Sequence, residues 1–212
     1  MPLQRGSKVG TKPKRDKSGH MLVCGIGICD IHCKTEIQGK KDRWYVTWHS
    51  AICRCAPYEQ ERYPTYKGCM LDPRWHKASH FKRWFDKYYV EGYHLDKDIL
   101  VPGNKIYGPD TCCFVPPEIN SLFLSRKASR GKYPQGVSKS SDSRCLVVVM
   151  SKYGKQTFLG NFSFVSLDKA VQCYNEAKRD HWIDIATAYF TNGKITLKVK
   201  RALIRRAKAF QF

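Results

Sequence analysis

"GYHLDKDILVPGNKIYGPDTCCFVPPEIN", Gly92 to Asn120, is the stretch on which the fold turns. Asp96, Lys97, Asp98, Asn104 and Asn120 interrupt its otherwise apolar frame. "YHLDKDI" reads as a first strand, "VPGNKIYGPD" as a long turn bending at Gly103 and Asn104, and "TCCFVP" as a return strand. Pro116 and Pro117 then pre-set a helix carrying Ile119, Asn120, Leu122 and Phe123. That order brings Asp96 on the first strand towards Asn120 on the helix. A carboxylate and an amide oxygen suit a hard divalent cation such as Mg2+ or Mn2+. Such an ion polarises a phosphate and stabilises a leaving 3′ oxygen. The same residue types also make an ordinary charged hairpin tip.

The rest of the chain narrows the choice. Across 212 residues, Lys+Arg number 38 against 18 Asp+Glu, a formal net charge of +20. A field of that size attracts polyanions, and nucleic acid leads because each neutralised phosphate releases counterions. No segment approaches the roughly 20 apolar residues a membrane span needs, so a membrane partner is not expected. The N-terminal stretch is basic without an apolar core, which does not fit a secretory signal. The ten cysteines are therefore expected in a reducing cytoplasm, buried or on metal. No Cys-x2-Cys pair occurs, so a structural zinc is not expected and buried thiols are the ordinary reading. Cys29 with His32 and Cys33 is the set weighed against it.

Residues 1–20 read as a basic flexible arm in which Arg5, Lys8, Lys12, Lys14 and Arg15 can follow a phosphate backbone. Residues 21–125 form an N-terminal α+β region that ends in the ββα element at 92–125. Within it "DRWYVTWHSAICRC" reads as a helix, because Trp44, Trp48, Ile52 and Cys55 fall at i, i+4, i+8 and i+11. "DPRWHKASHFKRWFDKYY" reads as one stronger helix capped by Asp72, with Trp75, Phe81, Trp84, Phe85 and Tyr88 on its apolar stripe. A linker occupies 126–135. Residues 136–190 read as strands followed by a helix with Ala170, Val171, Tyr174 and Ala177 on one face. Residues 191–212 read as a basic helix that includes Arg201, Arg205 and Arg206.

The ββα element resembles the metal-binding module of HNH endonucleases, with its "Asp-His … Asn … Asn or His" pattern. The resemblance implies that Asp96 and Asn120 hold the metal and that Asn104 steadies the general base. Lys97 stands in place of that base, a histidine in the family, and a lysine at its ordinary pKa near 10 is a poor base. His94 and Asp98, on the same strand face as Asp96, are the substitutes. Downstream, "KQTFLGNF" at 155–162, Gly136-Val137, the strand from Val147 to Met150 and the helix with Asp168, Ala170, Tyr174 and Ala177 resemble the Apetala-type DNA-binding domain of plant ethylene-response factors. HNH followed by this domain resembles phage homing-type endonucleases, and the combined resemblance covers roughly residues 44 to 190.

The resemblance implies an α+β chain: an HNH-like ββα-metal module, then a small three-stranded antiparallel sheet packed on a helix. The sheet would lie in the DNA major groove. Where the plant family presents arginines and a tryptophan, this chain has Ser138, Ser140, Val148, Met150, Gln156 and Phe158. Lys139, Arg144, Lys152 and Lys155 remain and suit phosphates better than base edges. The leading expectation is a phage-type double-stranded DNA-binding protein in the bacterial cytoplasm with a catalytically degenerate nuclease module. An active Mg2+-dependent homing or nicking endonuclease, and an RNA- or protein-binding adaptor, are the alternatives.

Overall fold

The computed structural model describes residues 17–20, 22–31, 36–37, 40–122, 132–152 and 154–210. The arm residues Arg5, Lys8, Lys12, Lys14 and Arg15, together with His32 and Cys33, lie outside them. The chain is α+β and divides into two compact units. The first takes in residues up to Tyr89 plus Lys105–Thr111, and the second Val90–Asn104 plus Cys112 onward. The unit boundary thus cuts through the hairpin: residues 92–104 and 112–122 of the ββα element group with the C-terminal chain, and 105–111 with the first unit.

The first unit opens with two tiny antiparallel hairpins, β1 (Leu22–Val23) with β2 (Gly27–Ile28) and β3 (Glu36–Ile37) with β4 (Lys40–Lys41). Helix α1 (Arg43–Cys55) follows and buries Trp44, Trp48, Ala51, Ile52 and Cys55, the stripe its spacing predicts. Pro57 starts the short α2 (Pro57–Arg62). Gly27 lies against α1 so closely that an added Cβ would fall 2.4 Å from Ile52 and 2.8 Å from Trp48. Only glycine permits this approach, and it presses the β1–β2 hairpin onto the helix.

The single helix expected from Asp72 is two pieces. Asp72 caps a 3-10 turn, Pro73–Trp75, by accepting from the Arg74 amide, and α3 begins only at Ala78 (Ala78–Tyr88). The break has a physical cause. The His76 carbonyl accepts from the Ile28 amide at 2.7 Å, the Trp75 carbonyl accepts from the Trp48 indole at 2.8 Å, and Lys77 is extended. Those contacts accompany an extended Lys77, and an extended residue cannot lie inside a helix. Asp30, distant in sequence, caps α3 instead: its carboxylate accepts from the Ser79 amide and hydroxyl at 2.9 and 2.6 Å. Trp75, Phe81 and Phe85 of the expected stripe are buried, whereas Tyr88 is exposed.

Strand β5 (Met70–Leu71) precedes that turn, and β6 (His94–Asp96) follows α3. The segment read as one long turn holds a strand, β7 (Ile106–Tyr107), which pairs parallel with β5 and buries Tyr107. Strand β8 (Cys113–Val115) returns antiparallel to β6 with Asp96 opposite Cys113, and α4 (Pro117–Ser121) starts at the paired prolines. Next comes an antiparallel sheet of β9 (Val137–Lys139), β10 (Leu146–Lys152) and β11 (Lys155–Phe162), ordered β11-β10-β9. Helix α5 (Leu167–Thr191) and α6 (Leu197–Lys208) end the second unit.

Helix α5 serves two cores. Ala170 and Tyr174 near its start pack on Val137, Leu146, Val148 and Met150 of the sheet. Ile185 and Ala186 near its end pack with Ile99, Leu100, Val115 and Ile119 of the hairpin element and with Val199 and Leu203 of α6. Gly136 makes the sheet contact possible. Its φ is +79°, and an added Cβ would sit 2.1 Å from the Tyr174 ring.

Candidate functional site

The hairpin residues form one hydrogen-bonded knot. Oδ1 of Asp96 accepts from the amides of Asp98 and Ile99 at 2.7 and 2.6 Å. Burial raises the Asp96 carboxyl above its ordinary range, against the pull of those two amides and of Arg206. The Lys97 ammonium donates to both carboxylate oxygens of Asp98 and to the Asn104 carbonyl, all at 2.8 Å. The Asn104 side-chain amide donates back to the Lys97 carbonyl at 2.9 Å. An ammonium that donates its protons to three oxygens is a clamp, not a proton acceptor. Asp98 is held in the same ion pair. His94 stands exposed two residues before Asp96, with Val115 opposite. Asn120 is half-buried on α4, which packs against β6.

Two residues expected to bind DNA brace this knot. Arg205 donates to the Leu100 carbonyl at 3.1 Å and Arg206 to the Asp98 carbonyl at 3.3 Å. Helix α6 thus fastens the loop behind Asp96. Arg201, on the same helix, is exposed.

In the sheet, strand alternation and a bulge between Val148 and Val149 decide which side chains face out. Val148 and Met150, expected at base-reading positions, are buried against α5. Ser140 is a turn residue whose hydroxyl bonds Asp142 and accepts from the Arg144 and Cys145 amides. The face away from α5 carries Ser138, Val147, Asn161, Val149, Phe158, Ser151 and Gln156, by register with one another. Phe158 is 61% exposed there, and this face holds no charge. Cations stand at the strand ends but not on this face: Lys139, opposite buried Leu146, has its ammonium 5.5 Å from the Phe164 ring, Arg144 is exposed in the β9–β10 loop, and Lys152 and Lys155 face each other at the β10–β11 turn on the α5 side by alternation. Lys152 also lies 3.8 Å from Asp184 of α5.

A third grouping appears in the first unit. Cys24, in the β1–β2 turn, meets His49 and Cys53 of α1, with one ligand atom from each within 4.8 Å of the others, an arrangement that could bind a metal. Tyr58 donates to the Cys24 sulfur at 3.3 Å. Burial, and then the adjacent Cys24 sulfur, push the Cys53 thiol up to about 12, against the donated Tyr58 bond. Sequence reasoning missed this set. The visible signal was His49-x3-Cys53, which places two ligands on one helix face.

No family model, curated protein or solved structure matches the chain. No helix among the described residues is long and apolar enough to cross a membrane.

Proposed function

We propose that the chain is a double-stranded DNA-binding protein of phage homing-endonuclease type, acting in the bacterial cytoplasm, whose HNH-like module has lost most of its catalysis. The observation that carries the DNA reading is the outer sheet face. An uncharged strip with Gln156, Phe158 and Asn161 along β11 lies on a sheet whose strand ends and connecting loop carry Lys139, Arg144, Lys152 and Lys155. The B-DNA major groove admits a β-ribbon, glutamine and asparagine pair with adenine edges, and an aromatic ring suits the thymine methyl. Those cations suit phosphates. The face therefore favours A·T-containing steps, with most affinity supplied electrostatically.

The hairpin supports an HNH-like origin through Asn104, which clamps the backbone of residue 97, the position of the missing base. Asp96 and Asn120 would hold Mg2+ or Mn2+, and the ion would supply phosphate polarisation and leaving-group stabilisation. The ligand set is thin. Asp96 contributes one carboxylate whose Oδ1 already receives two amides, and the neighbouring ammonium of Lys97 opposes a cation. Weak or absent cleavage follows. An active nickase that uses His94 is the second reading, favoured by the exposure of His94 beside Asp96.

Fluorescence anisotropy with duplex DNA, duplex RNA and single strands tests the proposal. Affinity for duplex DNA should fall about a thousandfold between roughly 50 and 200 mM salt. Replacing Gln156, Phe158 and Asn161 together by alanine should erase preference for A·T steps and leave the salt slope intact. Lys155→Ala should reduce that slope by about one and spare the preference. Binding that ignores salt, or that prefers RNA, overturns the proposal.

A further inference from the structure

We infer that Cys24, His49 and Cys53 are a zinc site that pins the β1–β2 hairpin to helix α1. Four independent features of the first unit converge on it. The ligand types are those zinc takes, two thiols and an imidazole. His49 Nδ1 lies 3.5 Å from Cys53 Sγ. Zinc bonds of about 2.3 Å to sulfur and 2.0 Å to nitrogen at a tetrahedral angle place two such ligands roughly 3.5 Å apart. The two sulfurs are 2.8 Å apart, drawn together as a thiol pair. They would separate by about 1 Å to admit the ion, since its sulfur–sulfur edge is roughly 3.7 Å.

The backbone at Cys24 is the second feature. Its φ is +49°, and Gly25 beside it has φ +73°. Two successive left-handed residues suit a hairpin turn of asparagine or glycine, not cysteine. A cysteine kept in that conformation has its sulfur aimed by the turn, and strain of this sort gathers at functional positions. Gly27 is the third. Its close approach to Trp48 and Ile52 sets the hairpin against the very stretch of α1 that carries His49 and Cys53. Fourth, the surroundings serve a metal. Tyr58 donates to the Cys24 sulfur, as an outer hydrogen bond to a metal-bound thiolate would. Tyr45, its ring 6.0 Å from that of His49, borders the imidazole. A cleft of about 490 Å³ lined by Tyr45, His49, Cys53 and Glu59 gives a route in from solvent. Binding exchanges the two thiol protons for the dication and releases them to solvent.

The test uses the full chain purified under reducing conditions. Elemental analysis should find one zinc per chain. Cobalt substitution should give thiolate charge-transfer absorption and the strong visible bands of a tetrahedral ion. Alkylation mapped by mass spectrometry should show Cys24 and Cys53 protected in the wild type, with protection lost on adding a chelator and the half-buried Cys145 unchanged throughout. Cys24→Ser, Cys53→Ser and His49→Ala should each lose the metal, Cys145→Ser should keep it, and His49→Cys should keep it with one more sulfur in the cobalt spectrum. Should a variant fail to fold, the wild-type alkylation and cobalt readings still decide. Metal-free wild type that refuses cobalt, protection that ignores chelator, or a Cys24–Cys53 disulfide in the reduced preparation overturns the site.

Discussion

On the HNH-like reading proposed above, position 97 is where a general base would stand, and it holds a lysine that donates to three oxygens. Its ammonium is bound to Asp98 and to the Asn104 carbonyl. The Asn104 amide holds the backbone of residue 97, not its side chain. A new side chain would therefore inherit the same placement. Lys97→His should restore a base and bring nicking of supercoiled plasmid in Mg2+ or Mn2+, a gain of about a hundredfold or more. Adding Asp96→Asn should abolish that gain. Plasmid left intact by Lys97→His would show that the hairpin never held a catalytic ion. Asp96→Asn alone carries a separate expectation in chelator. Because burial raises the Asp96 carboxyl, its neutral form favours the fold, and that contribution is lost as pH rises through the raised value. Asparagine keeps the oxygen that Asp98 and Ile99 need. The variant should therefore melt no lower than wild type at neutral pH, and the two should converge below about pH 4. A neutral-pH loss of stability would mean that the ionised carboxylate is favourable where it sits.

At the scale of elements, what the sequence showed and what it hid divide by distance along the chain. Helix α1 was legible because its core stripe recurs every turn within one segment. The strand–strand–helix order of the hairpin was legible from turn formers and paired prolines. The break before α3 was not, because Ile28 and Trp48, which claim the carbonyls, come from other elements. Period-2 alternation in β10 could not say which face α5 would cover, so Val148 and Met150 were misplaced. The Cys24–His49–Cys53 cluster hid for the same reason: two of its residues share a helix, and the third is brought to them by the hairpin that Gly27 lets pack on α1. Asp30 is the clearest case of such a remote partner, and it can be measured. Burial works against its charge, but the Ser79 hydroxyl and amide hold its carboxyl below the ordinary range. Its stabilisation is therefore present above about pH 4 and lost as pH falls through the lowered value. Asp30→Ala should lower stability by about 1–2 kcal/mol at neutral pH, with the gap in melting temperature closing in acid. A gap that persists unchanged at low pH would show packing, not the charged cap, to be its source.

On the scale of the molecule, the second unit sets the three-stranded sheet proposed to read DNA and the β6–β8 hairpin on one helix. Helix α5 has 25 residues, roughly 37 Å at 1.5 Å per residue. Its two ends stand in two cores that, among the described residues, share no other long element: Tyr174 in the sheet core, and Ile185 in the core with Ile99, Val115 and Ile119. A helix that long is stabilised mainly by the tertiary contacts along its face, so losing either core shortens the support of the other. Ile185→Ala removes a buried side chain from the hairpin core at a cost of about 2–5 kcal/mol. Sheet and hairpin are expected to respond together. Native-state hydrogen exchange should show protection falling by a similar free energy at the β6 and β8 amides and at Leu146 to Met150 of β10, although Ile185 belongs to the hairpin core and not to the sheet core. DNA affinity should fall with them, because the outer face of β10 and β11 needs the helix behind it. If β10 instead keeps its full protection while β6 and β8 open, the two cores unfold independently. Helix α5 would then be a tether between separable modules, and the hairpin could be removed without disturbing the sheet.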